Sequence, residues 1–173
     1  MKAGSSSLVM LAAALAGARE AGAETELLDL RLLDLPMYTP AAEPTESART
    51  LARAFGEAQG LIWSTPVYHG GMSGAFKNAL DWLELLSQNQ PAYLTDKVIG
   101  LLSAAGGVQG LQAINTMEFA ARALRGWTLP LTLPLDRAWQ LLDERGEIRD
   151  AQLDARLRQV GAEVAAAAAR LAR

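Results

Sequence analysis

The sequence predicts an α/β fold built on a parallel sheet, and three observations carry that expectation. Short apolar runs bounded by turn residues alternate with helical patterns, the order expected of consecutive strand–helix–strand units. The central runs, at 60–64 and 97–102, are apolar throughout rather than alternating, as strands covered on both faces are. The length of 173 residues, half of them hydrophobic and 20% charged, corresponds to one domain, 1–173, with enough chain to bury a core.

The elements follow in order. Residues 7–21 read as a helix capped by Ser7, with Leu8, Leu11 and Leu15 on one face and Gly22 as its stop. The same N-terminus has a second reading: Met1-Lys2 followed by the apolar run 8–18 has the form of a short signal peptide, although the run is too short to span a membrane. Residues 24–30 read as a strand, with Leu28 and Leu30 on one face. Pro36, Pro40 and Pro44 punctuate the loop after it, and Thr45 caps a helix to about Ala58. A buried strand at 60–64 leads into a loop over 65–72, and Ser73 caps a helix over 74–86. At 100° per residue that helix carries two apolar stripes: Ala75, Ala79, Trp82 and Leu86 on one, Phe76, Leu80 and Leu83 on the other. One stripe suffices to cover a sheet, which leaves the second for a partner. Strand 97–102, the small-residue loop 103–110, a helix to about Arg125 and strand 127–133 come next. A long helix over 150–172, with alanine at every position from 165 to 169, ends the chain.

Composition narrows the chemistry. The net charge is −3, the chain shows no basic cluster, and a nucleic-acid partner is not expected. Without cysteine there are no disulfides, thiolate nucleophiles or thiolate metal sites, and the single histidine, His69, cannot build a histidine metal site. Gly71-Met-Ser-Gly-Ala75 comes close to the nucleophile elbow of hydrolases, but His69 precedes Ser73 by four residues, whereas that triad brings its histidine from a distant later loop. Ser73 is read as a helix cap, and no catalytic side chain or metal ligand is assigned.

Ligands of parallel α/β sheets bind beyond the carboxyl ends of the strands, which directs attention to 65–73 and 103–110. Pro66 extends the backbone as it leaves its strand, Tyr68 can flank a flat ligand, and Gly70 and Gly71 let main chain approach one closely. Small residues from Ser103 to Gly110 leave a second stretch of backbone open, without the G-x-G-x-x-G spacing of a dinucleotide fingerprint. Gly4-Ser-Ser-Ser7 sets hydroxyls and free N–H groups at a helix N-terminus, where anions bind. Taken singly, these stretches also read as an ordinary turn, a flexible loop and a plain cap.

Together they resemble the NADPH-dependent FMN reductases, flavodoxin-like α/β proteins. The resemblance rests on Thr65-Pro66-Val67-Tyr68 followed by Phe76-Lys77-Asn78-Ala79-Leu80-Asp81-Trp82, which is similar to the family's flavin loop. It extends through the run ending at Pro36, Ser103 to Gly107, and Gly110 to Trp127. It implies a flavodoxin-like three-layer sandwich, FMN and NADPH as cofactors, hydride transfer through the flavin to a small-molecule electron acceptor, and a cytoplasmic homodimer or dimer of dimers. By the same resemblance Ser5, Ser6 and Ser7 hold the phosphate, while Pro66, Val67, Tyr68, His69 and Gly70 contact the ring on one side and Ser103, Gly106 and Gly107 on another.

One departure stands out. The family opens with a strand and a phosphate loop of the type G-S-x-R-x-x-S-x-S, and Gly4-Ser5-Ser6-Ser7 matches only the end of that loop. The missing strand would lie between 24–30 and 60–64. The expectation is therefore a truncated chain or a sheet that closes differently, with weakened phosphate affinity. Two alternatives to a reductase follow: a flavin-binding electron carrier without NADPH activity, for which a charge of −3 is weakly acidic, and a non-catalytic remnant.

Overall fold

The computed structural model describes residues 5–143 and 146–172. Helix α1 (Ser6–Glu20) buries Met10, Ala13, Ala14 and Ala18 against α6 (Ala151–Leu171). The two helices touch backbone to backbone: a Cβ on Gly161 would lie 1.7 Å from the Ala14 carbonyl oxygen, and one on Gly17 would lie 2.0 Å from that of Arg158. The C-terminus of α1 closes as its sequence predicts, with Gly22 at φ +91° and the Ala23 N–H donating to the Ala18 carbonyl at 3.0 Å, but its start differs: Ser7 lies inside the helix, and the N-cap is Ser5, which makes no side-chain cap bond. The apolar run that also reads as a leader forms the packed face of this helix. The Met1-Lys2 and Gly4 of the sequence arguments lie outside the described residues.

Four strands follow: β1 (Gly60–Tyr68), β2 (Gly71–Met72), β3 (Val98–Ala104) and β4 (Trp127–Leu135), in the order β2-β1-β3-β4. β1 pairs parallel with β3 from Gly60↔Val98 to Pro66↔Ala104, and β4 pairs parallel on the other side of β3 with an irregularity between Ile99 and Leu101. β3 is buried along its whole length and alternates between two cores. Ile99 and Leu101 join Trp63, Phe76, Leu80 and Met117; Val98 and Leu102 join Met10, Leu133, Leu157 and Val160. Helices α3 (Glu46–Glu57), α4 (Gly74–Asp81) and α5 (Gly110–Ala123) cover the first face, and α1 and α6 the second, which makes the three layers expected. β4 tolerates Pro130 and Pro134 because it has β3 on one side only.

Several boundaries differ from expectation, each for a physical reason. Residues 24–30 form no strand: 23–29 are irregular, and α2 (Leu30–Leu33) begins instead, with the Asp29 carboxylate accepting from the Arg31 N–H at 3.0 Å and pairing with its guanidinium. Among the described residues no strand pairs with that segment, and a cavity of about 820 Å³ runs between it and β1. β1 runs four residues past its expected end because Thr65 and Pro66 continue the ladder to Ser103 and Ala104, and Val67 and Tyr68 turn into a hairpin with β2. The expected helix over 74–86 is α only to Asp81 and tightens to a 3₁₀ segment, Trp82–Leu86. Its apolar stripes are spent inside the chain except at Ala75, which is exposed: Ala79, Trp82 and Leu86 are buried, and so are Phe76, Leu80 and Leu83. No stripe of this helix is left for a partner. Lys97 precedes β3 and ties down the end of α3, donating to the Gly56 carbonyl at 2.8 Å and to that of Ala58; burial lowers its pKa.

Candidate functional site

Parallel pairing brings the carboxyl ends of β1, β3 and β4 to one edge. At β1 the chain reverses through His69 and Gly70, whose positive φ values of 50° and 80° are what a two-residue type I′ hairpin turn needs. The turn rests on α5: a Cβ on Gly70 would lie 2.8 Å from Oε1 at the movable end of the exposed Gln112 side chain, so its φ of 80° is what favours glycine, and the Met72 N–H donates to Thr116 Oγ1 at 3.2 Å. Beneath it, Thr65 is fully buried. Its Oγ1 accepts from the Ser73 N–H at 3.1 Å and lies 3.2 Å from Ser73 Oγ, while Ser73 Oγ accepts from the Phe76 N–H to cap α4. Ser73 is thus a cap held by Thr65. Pro66 and Val67 are half-buried, whereas Tyr68 and His69 stand exposed at the rim.

The second loop separates its residues by role. Ser103 is fully buried and its hydroxyl donates to the Gly110 carbonyl at 2.7 Å, so it shapes the loop from beneath. Gly106 and Gly107 are exposed, and a Cβ on either would meet nothing within 4 Å. A third loop, 136–140, completes the edge, and sequence reasoning missed it. The Ala105 N–H donates to Leu135 O, Ala138 N–H to Ala105 O and Arg137 N–H to Gly107 O, at 2.8–2.9 Å, while Asp136 Oδ1 accepts from the Gly110 N–H. Arg137, at φ 47°, and Trp139, 66% exposed, stand on this loop. The signal available was their place just after the last strand; an expected end at Leu133 hid it.

The N-terminus of α1 meets the same edge. Ser64 Oγ donates to the Ser7 carbonyl at 2.7 Å, Ser6 Oγ to the Ala138 carbonyl at 3.5 Å, and the Ser5 and Ser7 hydroxyls share a bond of 2.8 Å. The first N–H groups of a helix have no partner within it, and the first turn of α1 carries no acidic residue to compete for an anion. These residues fit a flat phosphorylated ligand such as FMN. Open backbone at Gly106 and Gly107 and a rigid turn at Gly70 offer approach to a ring, and Ser5, Ser6 and Ser7 offer hydroxyls and N–H groups to a phosphate. No group of three His, Cys, Asp or Glu side chains among the described residues could hold a metal ion.

The fold defines the class: a flavodoxin-like α/β protein whose loops converge at the carboxyl ends of its parallel strands. Residues 1–140 match the NADPH-dependent FMN reductase family, and the chain belongs to it. The NADPH-dependent FMN reductase ArsH of Acidithiobacillus ferrooxidans is 31% identical over 129 residues, covering 74% of this chain and 53% of that protein. An NADPH azoreductase of Bacillus sp. (strain OY1-2) is 34% identical over 119 residues, covering 65% of this chain and 62% of that protein. The chain therefore spans about half the length of the first relative and less than two thirds of the second. Among solved structures, a flavone reductase shares the fold with a TM-score of 0.74 at 22% identity, over 96% of this chain and 60% of that one. Among the described residues no helix is long and apolar enough to cross a membrane.

Proposed function

We propose that the chain is an NAD(P)H-dependent FMN oxidoreductase, one flavin-binding domain over 1–173, that passes hydride from NADPH through FMN to a small acceptor. Bound flavin supplies the redox chemistry, accepting hydride from the nicotinamide and returning electrons to the acceptor. The protein's part is to bind and orient. Ser5, Ser6 and Ser7 hold the phosphate at the N-terminus of α1. Pro66, Val67, Tyr68, His69 and Gly70 flank the ring at the hairpin, and the open backbone of Gly106 and Gly107 meets it from the second loop, set in shape by Ser103. No side chain serves as a catalytic acid or base. The observation that carries this reading is the convergence of the three elements, with α1 fastened to the edge through Ser64 and Ala138.

The proposal includes azo compounds among the acceptors, since one relative is named for them, a cytoplasmic location, and assembly as a homodimer or dimer of dimers. With both stripes of the 74–86 helix buried, the contact falls to the outer face of α5, where Leu111 and Phe119 are exposed two turns apart. Titration with FMN followed by anaerobic stopped-flow mixing with NADPH tests the function. The expected result is quenched flavin fluorescence on binding and bleaching of the bound flavin by NADPH. Failure to quench at high micromolar FMN overturns the reading. Binding without reduction by NADPH converts it to that of an electron carrier.

A further inference from the structure

Charge is sparse at the carboxyl edge. The hairpin stretch 65–73 holds no lysine, arginine or acidic residue, and neither does 103–110 or the first turn of α1. Of these segments and the loop 136–140, only the last carries charge, at Asp136 and Arg137. Asp136 is committed to the fold, its Oδ1 accepting from the Gly110 N–H at 2.9 Å. Arg137 is not. It is exposed, and its guanidinium makes no hydrogen bond or ion pair among the described residues, whereas those of Arg31 and Arg158 are paired with carboxylates.

The backbone that carries this cation is fixed. Its φ of 47° lies in the left-handed region, which disfavours arginine and is tolerated by glycine and asparagine. Two main-chain bonds hold it there, from the Arg137 N–H to the Gly107 carbonyl and from the Ala138 N–H to the Ala105 carbonyl, both 2.9 Å. On the other side the Ala138 carbonyl accepts from Ser6 Oγ at 3.5 Å. Arg137 thus stands where the open backbone of Gly106 and Gly107 meets the start of α1.

FMN and NADPH share one group that riboflavin and NADH lack, a phosphate monoester, which is close to doubly charged at pH 7. A helix N-terminus and hydroxyls offer such a group only partial charge. A guanidinium offers a full one, on a planar fork that matches phosphate oxygens.

We propose that Arg137 pairs with a phosphate monoester of the cofactors and so sets the preference for a phosphorylated form, FMN over riboflavin or NADPH over NADH. The inference rests on the flavin and nicotinamide reading of this edge.

Two variants test it. Arg137→Asn suits the left-handed backbone and removes the charge; Arg137→Lys keeps the charge and loses the fork. In the parent and both variants, fluorescence quenching gives the affinities for FMN and riboflavin, and steady-state turnover gives kcat/KM for NADPH and NADH. Calorimetry on flavin-free protein gives the affinity for 2′,5′-ADP, a monoester probe with neither flavin nor nicotinamide. The expected result for Arg137→Asn is a fall of about tenfold or more in one of the two preferences and in 2′,5′-ADP affinity, with Arg137→Lys between it and the parent and no loss of melting temperature. A fall in the FMN preference assigns the 5′-phosphate of the flavin, and a fall in the NADPH preference assigns the 2′-phosphate of the nucleotide. Preferences kept by Arg137→Asn overturn the proposal, as does equal weakening of the phosphorylated and unphosphorylated forms, which marks a structural role. A parent that fails to quench FMN but binds 2′,5′-ADP through Arg137 overturns the flavin reading and leaves this inference standing. A parent that binds neither overturns both.

Discussion

Replacing Gly161 by alanine tests whether the contact between α1 and α6 sets the position of the binding edge. The new Cβ would sit 1.7 Å from the Ala14 carbonyl oxygen, half of the 3.4 Å at which ordinary contact begins, and 2.8 Å from the Ala18 nitrogen. Both obstacles are backbone, so no side-chain rotation relieves them and the helices must separate. Overpacking of this kind costs about 1–3 kcal/mol, and a backbone obstacle belongs at the upper end. Alanine recovers about 1 kcal/mol of helix propensity over glycine. The net is about 2 kcal/mol, which for a chain of this size lowers the melting temperature by about 4–8 °C. Because α1 carries Ser5, Ser6 and Ser7, its displacement should weaken FMN binding as well, read by fluorescence titration. Gly74→Ala is the control: it is also helical, and its Cβ would meet nothing within 4 Å. A Gly161→Ala protein that melts at or above the parent refutes the reasoning.

Gly70→Val should lose FMN and also be less stable by about 1–3 kcal/mol, since the residue holds φ +80°; unchanged FMN affinity would remove the hairpin from the ring site. Thr65→Val leaves the buried Ser73 N–H without its acceptor and should cost about 1–3 kcal/mol in chemical denaturation, with no loss if the bond contributes nothing. The side-chain bond from Arg31 holds the Asp29 carboxyl below its ordinary value of 3.8. Its contribution is therefore complete above that pH and is lost as pH falls through the lower folded value. Asp29→Asn should flatten this acid limb of the stability curve; parallel curves for the two proteins would contradict the assignment.

Most of the scaffold was legible because its signals are local. Thr45 and Ser73 cap helices where their spacing says they should, Gly22 ends α1, and the apolar run from Val98 to Leu102 is the central strand. The failures are where an element depends on a neighbour. Residues 24–30 carry strand residue types, but a strand needs a partner, and the space beside them is a cavity. Nothing in Leu83 or Phe76 tells whether a stripe meets another chain or its own core; only packing decides, and both stripes turned inward. Gly70, Gly106 and Gly107 were legible as open backbone. The commitment of Ser103 to Gly110 and the part of 136–140 were not, because both arise from bonds between loops far apart in sequence.

Three bonds that fasten the third loop, from Ala105, Arg137 and Ala138, run from main chain to main chain, and a fourth uses the Asp136 carboxylate. None of them uses the side chains of Arg137 and Trp139, which are both exposed. Substitution there can alter size and charge at the mouth of the cradle while leaving the fastening intact. Under the proposed function, exchange at Trp139 would retune which small molecules the edge admits at little cost to folding, a route to substrate diversity on a fixed scaffold.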